Sequence, residues 1–247
     1  MNKSNTNNFL ASSIGTAIAE VATIPLCTIK TNYQTNLSHT SFIGVTKNIY
    51  ASRGIIGFYD ATPSAIASQI LSTATKYTFY SSIKNYRGTE QTNIMGNIFN
   101  GMLAGIFSSF FTHPFDVIKI TNQQGHKFIP ELKKHGVNLF YRGYSKSVSK
   151  SVLLTGSIFP VYDFYRTYVG NVFLSAICSS LTISIIIQPI DYIKVRHVAG
   201  LSWFQGFNVL DYYRGSHLNL LRSVPHFMIT MYLTEEFKKR LNRNNMI

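Results

Sequence analysis

The chain has 247 residues, of which 45% are hydrophobic and only 13% are charged, with a mean hydropathy of +0.07. The charged share is about half of that in soluble domains, so the composition disfavours a cytosolic enzyme and favours a membrane protein with polar helix faces. The net charge of +13 fits a nucleic acid, an anionic lipid or an anionic solute. Because the basic residues are spread singly and form no basic arm, nucleic acid is not expected as a partner.

Nothing in the sequence has the pattern of a catalytic or metal site. Cys27 and Cys178 lie inside apolar stretches, and the histidines have neither metal-ligand spacing nor a nucleophile beside them. We therefore expect no enzyme activity, no cofactor, no metal and no disulfide framework. Residues 1–8 are polar with one lysine, which fits neither a signal peptide nor an Arg-rich presequence. Targeting to an organelle membrane would then depend on an internal signal.

Six apolar stretches, each about long enough to cross a bilayer as a helix, follow one another along the chain. Ser, Thr and Gly interrupt several of them, which is typical of membrane helices that pack closely around a wet interior. A soluble helical bundle is the alternative, less favoured because soluble helices rarely exceed twenty residues so often. The stretches cover residues 9–35, 63–83, 94–121, 148–168, 172–195 and 218–237.

A hexapeptide with proline first, an acid third and a base sixth marks the ends of alternate stretches. It is complete at residues 114–119 and 189–194, while the copy at residues 25–30 has Cys27 in place of the acid. The three copies predict an internal repeat of helix, loop with a short amphipathic helix, and helix. Proline removes a helix hydrogen bond and bends the helix. Kinks are therefore predicted at Pro25, Pro114 and Pro189.

The repeats cover approximately residues 9–88, 94–169 and 170–240 of a single domain, 1–247. An aromatic sequence ending in glycine precedes the second stretch of each repeat. It is complete at Gly143 and Gly215, whereas Ala61 replaces the glycine in the first repeat. The connection in the third repeat is the shortest.

Together these signatures resemble the mitochondrial carrier family, the solute transporters of the mitochondrial inner membrane, over nearly the whole chain. The resemblance implies an all-α membrane protein with six transmembrane helices in three pseudo-threefold-related repeats. Each repeat is then expected to carry a short matrix-side amphipathic helix, and transport to proceed by alternating access. The Asn-, Ile-, Ser- and Lys-rich composition is typical of an AT-rich genome, and a giant DNA virus is the source we favour.

The resemblance also implies a matrix-side gate built from the repeated hexapeptides. Acid and base are three residues apart and share a helix face, and each base is expected to pair with the acid of the next signature helix. The expected pairs are Lys30 with Asp116, Lys119 with Asp191, and Lys194 with Cys27, the last lacking its acid.

The missing acid at Cys27 should leave Lys194 without an ionic partner. Since a buried lone ammonium is costly, Lys194 is expected to stay hydrated. Cys27→Asp is then expected to tighten the gate. Nine residues after the first two prolines stand Gln34 and Gln123, which the resemblance implies to brace the ion pairs, while Val198 occupies the third position.

A second gate on the cytoplasmic side is implied by an aromatic-acid-x-x-base pattern at the ends of the other helices. The pattern is complete at residues 162–166, lacks the aromatic residue in the third repeat and lacks the acid in the first. Up to two ion pairs are expected, each worth about 0–1 kcal/mol if exposed. The assigned residues are Tyr80, Ser81, Lys84, Tyr162, Asp163, Arg166, Glu235 and Lys238.

The solute site follows from the family's contact points, seven and eight residues after the loop glycine. Lys150 and Arg222 then lie at mid-membrane depth, where an ionisable residue is a functional candidate. Glu20 is the lone acid at that depth, and it either pairs with a base or contacts an amine or a ribose hydroxyl. The assigned residues are Ser68, Gln69, Lys76, Lys150, Ser151, Arg222, Ser223 and Glu20.

An excess of bases favours an anionic solute, and we rank a nucleotide narrowly above a small keto or dicarboxylic acid. Lys150 and Ser151 depart from the glycine and aliphatic residue of nucleotide-type carriers, which keeps the carboxylate open. Cys27 and Ala61 keep open a non-transporting or uncoupling protein with the carrier fold. A monomer in the inner membrane of the (host) mitochondrion is expected, with cardiolipin bound near Gly44, Gly143, Gly206 and Gly215.

Overall fold

A computed structural model describes residues 3–36, 41–87 and 94–243, and within these ranges the chain forms α-helices and short 3-10 helices without a strand. The 3-10 helices cover Ile56–Phe58, Val137–Tyr141 and Val209–Tyr213. The α-helices are α1 (Lys3–Thr35), α2 (Phe42–Arg53), α3 (Thr62–Arg87), α4 (Ile94–Gln123), α5 (Phe128–His135), α6 (Tyr144–Val169), α7 (Val172–Val198) and α8 (Ser216–Arg243).

Six long helices form a ring in chain order. Each of α1, α3, α4, α6, α7 and α8 packs against the next, and α8 packs against α1 to close the ring. These are the six predicted stretches. Helices α1, α4 and α7 also contact one another, and they end together at Thr35, Gln123 and Val198. We call this end of the ring the proline end.

The three signature prolines lie inside the three helices that meet at the proline end. Pro25 is in α1, Pro114 in α4 and Pro189 in α7, and each helix continues for several residues beyond its proline. The repeated hexapeptides are therefore at corresponding depths in the ring. The kinks at these prolines stay a prediction.

The third connection differs from the predicted one. Helix α2 occupies the first connection and α5 the second, but residues 199–208 form no α-helix. Gly200 and Gly206 have φ angles of +75° and +92°, and such angles interrupt a right-handed helix. The short connection therefore turns twice where a helix was expected, and the prediction of an amphipathic helix in every repeat is wrong for the third.

The ring buries polar side chains and exposes apolar ones. Glu20, Lys30 and Asp191 are 1%, 6% and 6% exposed. Outward-facing apolar residues recur at helical spacing, although soluble proteins rarely expose large contiguous apolar patches. The arrangement suits a polar interior and an apolar surrounding. The exposed residues include Leu10, Ile14, Ile18, Val21, Phe107, Phe110, Phe111, Ile185 and Ile186.

All six long helices are long enough to cross a bilayer, but only one described segment is also apolar enough to do so. The long helices have 26 to 33 residues, and about 20 suffice to cross the hydrocarbon. Within the described ranges, Leu10–Thr35 is the segment that is also apolar enough, at a mean hydropathy of 1.5. A single such segment is weak evidence, since core helices of soluble proteins share these properties. Polar residues on the inner faces lower the average of the other helices.

Candidate functional site

A charged cavity of about 140 Å³ lies at the centre of the ring, against the three hexapeptides. Glu20 of α1 contacts two of its bases from behind. With Glu20 included, five bases face three acids, so the site carries a net positive charge when all are ionised. The charged lining residues are Lys30, Lys119, Lys150, Lys194, Arg222, Asp116 and Asp191.

Asp191 of α7 holds two lysines from different helices. Its carboxylate accepts hydrogen bonds from Lys30 of α1 and Lys150 of α6. Lys30 also donates to Oδ1 of Asn219 on α8, at 2.8 Å. Asp191 and Lys30 are both buried, while the Lys150 side chain is 33% exposed. This cluster thus joins four helices, and Lys150 is its most accessible base.

Asp116 of α4 forms the second cluster. Lys194 Nζ of α7 lies 2.6 Å from Asp116 Oδ2, and the Ser68 hydroxyl of α3 donates to Oδ1 at 2.5 Å. The carboxylate therefore connects one base near the proline end with one hydroxyl deeper in the ring.

Glu20 of α1 is the centre of the third cluster. Lys119 Nζ of α4 lies 2.5 Å from Oε1, and Arg222 Nη2 of α8 lies 2.8 Å from Oε2. His226 Nδ1 is 3.7 Å from Oε2 and 3.3 Å from the Thr23 hydroxyl. Pairing with Arg222 is one of the two roles expected for Glu20.

The predicted order of the ion pairs is wrong. Lys30 of α1 pairs with Asp191 of α7, and Lys194 of α7 pairs with Asp116 of α4. Lys119 of α4 turns toward α1, so each base faces the preceding signature helix. A three-residue spacing separates acid and base by about 60° around the helix, and on α7 the acid pairs with α1 while the base pairs with α4. Which neighbour receives the base depends on the sense of the ring. The predicted pairs Lys30–Asp116 and Lys119–Asp191 are not formed.

Lys194 is not the unpaired base either. It pairs with Asp116, and the base that faces the helix of Cys27 is Lys119. Lys119 instead finds its acid at Glu20, seven residues before Cys27 on the same helix. The acid that Lys119 reaches is thus about two helical turns from the position of the missing one.

The three clusters have the same arrangement of partners around the acid. Each acid binds a base near the proline end and also a contact-point residue on α3, α6 or α8. Those contact-point residues are Ser68, Lys150 and Arg222. A ligand that drew any of them away would therefore leave the acid with fewer partners, and the ion pair beside it would change.

A buried layer lies beyond the ion pairs at the proline end. Gln34, Gln123 and Val198 are 0%, 1% and 1% exposed. Gln123 Oε1 accepts from the Thr31 hydroxyl at 2.8 Å, and Gln34 Nε2 donates to the Arg214 carbonyl at 3.2 Å. The first bond ties α1 to α4, and the second ties α1 to the connection before α8. Neither touches the ion pairs, so the bracing role stays a prediction.

The opposite end shows no corresponding ion pair among the side chains that the structure describes. Arg166 donates to the Gly170 carbonyl at the end of its own helix, and neither Asp163 nor Arg166 pairs with another described side chain. The structure is thus closed by charges at the proline end. The Tyr162 side chain is partly buried, whereas the side chains of six other assigned residues lie outside the described part: Lys76, Tyr80, Ser81, Lys84, Glu235 and Lys238.

Four of the residues assigned to the solute site line a second, hydroxyl-rich cavity of about 220 Å³, which shares Asp116, Lys150 and Lys194 with the first. The four are Ser68, Gln69, Lys150 and Ser151, and the Ser151 hydroxyl lies 2.7 Å from that of Ser109. Ser223, by contrast, donates to the carbonyl of Asn219 one turn back on its own helix.

The glycines assigned to lipid divide into two kinds. Gly143 and Gly215 are buried at the starts of α6 and α8, while Gly44 and Gly206 are partly exposed. Gly143 and Gly215 have φ of +78° and +83° and lie against Val198 and Gln34. Packing and backbone geometry thus account for glycine at these two positions. The lipid role of all four residues stays a prediction.

Sequence reasoning missed Asn219 and His226. Both lie on α8 with Arg222, at positions that recur every three to four residues, so the three share one helix face. That spacing could have identified them. Counting seven residues from Gly215 assigned Arg222, but the residues three before and four after it on the same helix face were not considered.

A helical ring around a charged cavity, closed at one end by ion pairs, is the architecture of a membrane solute transporter. The model of the family described as mitochondrial carrier protein matches residues 2–91 and 90–172. The chain belongs to the mitochondrial carrier family, whose members are transporters.

The relatives share most of their length with this chain, and the two whose names give a solute name different ones. A mitochondrial carrier-like protein of Acanthamoeba polyphaga mimivirus is 43% identical over 229 residues, which is 93% of this chain and 94% of the viral protein. Mitochondrial thiamine pyrophosphate carrier 1 of Candida glabrata is 24% identical over 96% of this chain and 95% of its own length. The calcium-dependent mitochondrial ATP-magnesium/phosphate carrier protein 3 of Arabidopsis thaliana is 24% identical over 94% of this chain and 56% of its own length. Family membership therefore leaves the solute to be inferred.

Proposed function

We propose that this protein exchanges an anionic, phosphate-bearing solute, favoured to be a nucleotide, across the inner membrane of its host's mitochondria. The observation that carries the proposal is the central site, where five bases face three acids and two of those bases lie at contact points. A net positive site that is shielded from water attracts anions strongly.

The accessible bases match phosphate chemistry. The side chains of Lys150 and Arg222 are 33% and 21% exposed, more than that of any other base of the site. Arginine offers a planar fork to two phosphate oxygens, and lysine adds a compact charge. A nucleotide has enough phosphate charge to use both, and the hydroxyl-rich cavity beside Lys150 offers partners for its sugar.

The membrane part of the proposal rests on the burial pattern. Long helices with apolar outer faces and charged inner faces support six spans in three repeats, although most of the helices are not uniformly apolar. We place the proline end at the matrix side. Its closed network then represents one of two alternating states, and the pairs at the other end would form as it opens. A monomer with bound cardiolipin completes the proposal.

A small carboxylate is the second candidate. It is favoured by Lys150 and Ser151, which depart from the glycine and aliphatic residue of nucleotide-type carriers. One carboxylate also needs fewer bases than a nucleotide does. The non-transporting alternative is weakened by the complete set of ion pairs, because Cys27 does not leave a base without an acid.

Exchange in proteoliposomes tests the proposal. Vesicles are loaded with nucleotides or with dicarboxylates, and uptake of the same labelled solute from outside is followed, with protein-free vesicles as the control. Nucleotide exchange is the expected result. Exchange of carboxylates alone would select the second candidate. Exchange of neither, with or without a proton leak, would reject the transporter.

A further inference from the structure

We infer that Glu20 is the third acid of the gate at the proline end, in place of the acid missing at Cys27, and that it ties this gate to the solute site. The inference rests on the proposed transport function and assigns Glu20 a positioning role within it. The alternative role for Glu20 is direct contact with the solute.

The inner face of α1 places Glu20 where it can serve in this way. Thr16, Glu20, Thr23, Cys27 and Lys30 recur every three to four residues and are all buried, so they form one stripe facing the centre of the ring. Seven residues correspond to about 10 Å along a helix. Cys27 and Lys119 line the same cavity, and Lys119 extends from there to the carboxylate of Glu20.

Burial makes the pairing obligatory. Glu20 is 1% exposed, and an unpaired carboxylate at such depth is strongly unfavourable. The charged or titratable groups that contact it are Lys119, Arg222 and His226. The carboxylate is therefore held by its cations, and Lys119 in turn has the ionic partner that Cys27 does not supply.

The displaced position of the acid has a mechanical consequence. Glu20 binds Arg222 with one oxygen and Lys119 with the other. A solute anion that engages Arg222 withdraws a partner from Glu20 and alters the balance at Lys119. The solute site and the gate are thus linked through one carboxylate, and the same is true of Asp191 between Lys150 and Lys30.

Moving the acid tests this assignment. Four proteins are compared: wild type, Glu20→Gln, Glu20→Gln with Cys27→Asp, and Glu20→Gln with Cys27→Asn. Asparagine matches aspartate in size but lacks its charge. Glu20→Gln is expected to lower the Tm of the purified protein by on the order of 10 °C. The added aspartate should restore more than half of that loss, because it can take Lys119, and the asparagine should restore none.

A labelling experiment reports on the gate itself. In a Cys178→Ser background, Cys27 is the remaining thiol and is 7% exposed. Glu20→Gln should increase its rate of reaction with a small maleimide by about tenfold or more, since loss of about 1.4 kcal/mol of closure changes a population tenfold. Arg240→Ala, which removes a surface pair on α8, should leave the rate unchanged.

The results separate this inference from the proposed function. An unchanged Tm and labelling rate in Glu20→Gln would overturn the inference, as would a loss that Cys27→Asp does not restore or that Cys27→Asn restores equally. If Glu20→Gln fails to fold, folding of the aspartate double variant supports the inference and its failure overturns it. Both readouts work without a solute, so wild type that transports nothing would reject the proposed function while leaving this test intact.

Discussion

At the scale of single residues, the three acids of the site differ in how many bases depend on them. Asp191 holds Lys30 and Lys150, and Glu20 holds Lys119 and Arg222, whereas Asp116 holds Lys194 and a serine. Two bases that share one carboxylate repel each other, and the negative charge of the carboxylate offsets that repulsion. Replacing the carboxylate with a neutral group leaves the repulsion uncompensated. Asp191 and Glu20 should therefore be the more sensitive positions.

Asp191→Asn should cost about 3–5 kcal/mol of stability, because it leaves two bases near a neutral amide in a buried site. Asp116→Asn should cost less, since only one base is left. Thermal unfolding of the purified variants measures both effects. Asp60→Asn is the control, because its pair with Arg53 is longer, at 3.4 Å, and partly exposed. Equal Tm values for Asp191→Asn and Asp60→Asn would contradict the importance of the shared carboxylate.

Arg222→Ala should reduce solute uptake at least tenfold, because it removes the guanidinium that faces the cavity and leaves Glu20 with fewer cations. Uptake into proteoliposomes under identical loading measures the effect. Arg240→Ala changes the same residue type on the same helix but at the surface, where the side chain is 72% exposed, and should stay within about twofold of wild type. Unchanged uptake in Arg222→Ala would show that the solute binds elsewhere.

At the scale of elements, the starts of α6 and α8 fit closely against the ends of the signature helices. A Cβ at Gly143 would lie 3.1 Å from Val198 Cγ2, and one at Gly215 would lie 3.3 Å from Gln34 Cγ. Both glycines also have positive φ. The buried layer at the proline end thus depends on a close approach between helix end and helix start, which only glycine allows at these two positions.

Gly143→Ala should destabilise the protein by more than the 1–2 kcal/mol that a left-handed conformation costs an L-residue, because a contact with Val198 is added to the strain. Gly170→Ala is the matched control. Its backbone is left-handed like that of Gly143, with a φ of +70°, but no atom lies within 4 Å of the added Cβ. Denaturation of both variants in detergent gives the difference. Equal losses would mean that close packing at Gly143 does not contribute.

At the scale of the whole molecule, the three signature helices alternate with α3, α6 and α8 around the ring and end together at the proline end, where their connections begin. Residues 36–61, 124–143 and 199–215 form these connections. If the six long helices cross the membrane, these three segments lie on one side and the turn between α6 and α7 lies on the other.

Single cysteines can establish this topology. In a Cys178→Ser background, Ser52→Cys, Lys133→Cys and Ser202→Cys should react with a membrane-impermeant maleimide from one side of sealed vesicles, and Tyr168→Cys from the opposite side. All four positions are exposed, and Cys27 is buried enough to add little signal. Labelling of Tyr168→Cys from the same side as the others would contradict six spans.

The sequence predicted the long helices well and the contacts between them less well. Apolar stretches and prolines located α1, α4 and α7 because helix formation depends on local pattern. The sequence did not predict that the third connection lacks a helix. The positive φ angles of Gly200 and Gly206 interrupt it, and a glycine in a sequence does not show which φ angle it adopts. Asn219 and His226 were missed because their role depends on which face of α8 turns inward.

The sequence by itself determined the family, the six helices and the residue types around the site, since these follow from repeats and from helical periodicity. Only the tertiary structure decided which charges meet. Acid and base three residues apart lie only about 60° apart around a helix, so which neighbouring helix each of them reaches depends on the sense of the ring. In the same way, Glu20 replaces the acid missing at Cys27 only because folding brings Lys119 to it. A lysine side chain is long enough to pair with any of several acids, and the packing of the helices decides which acid lies close enough.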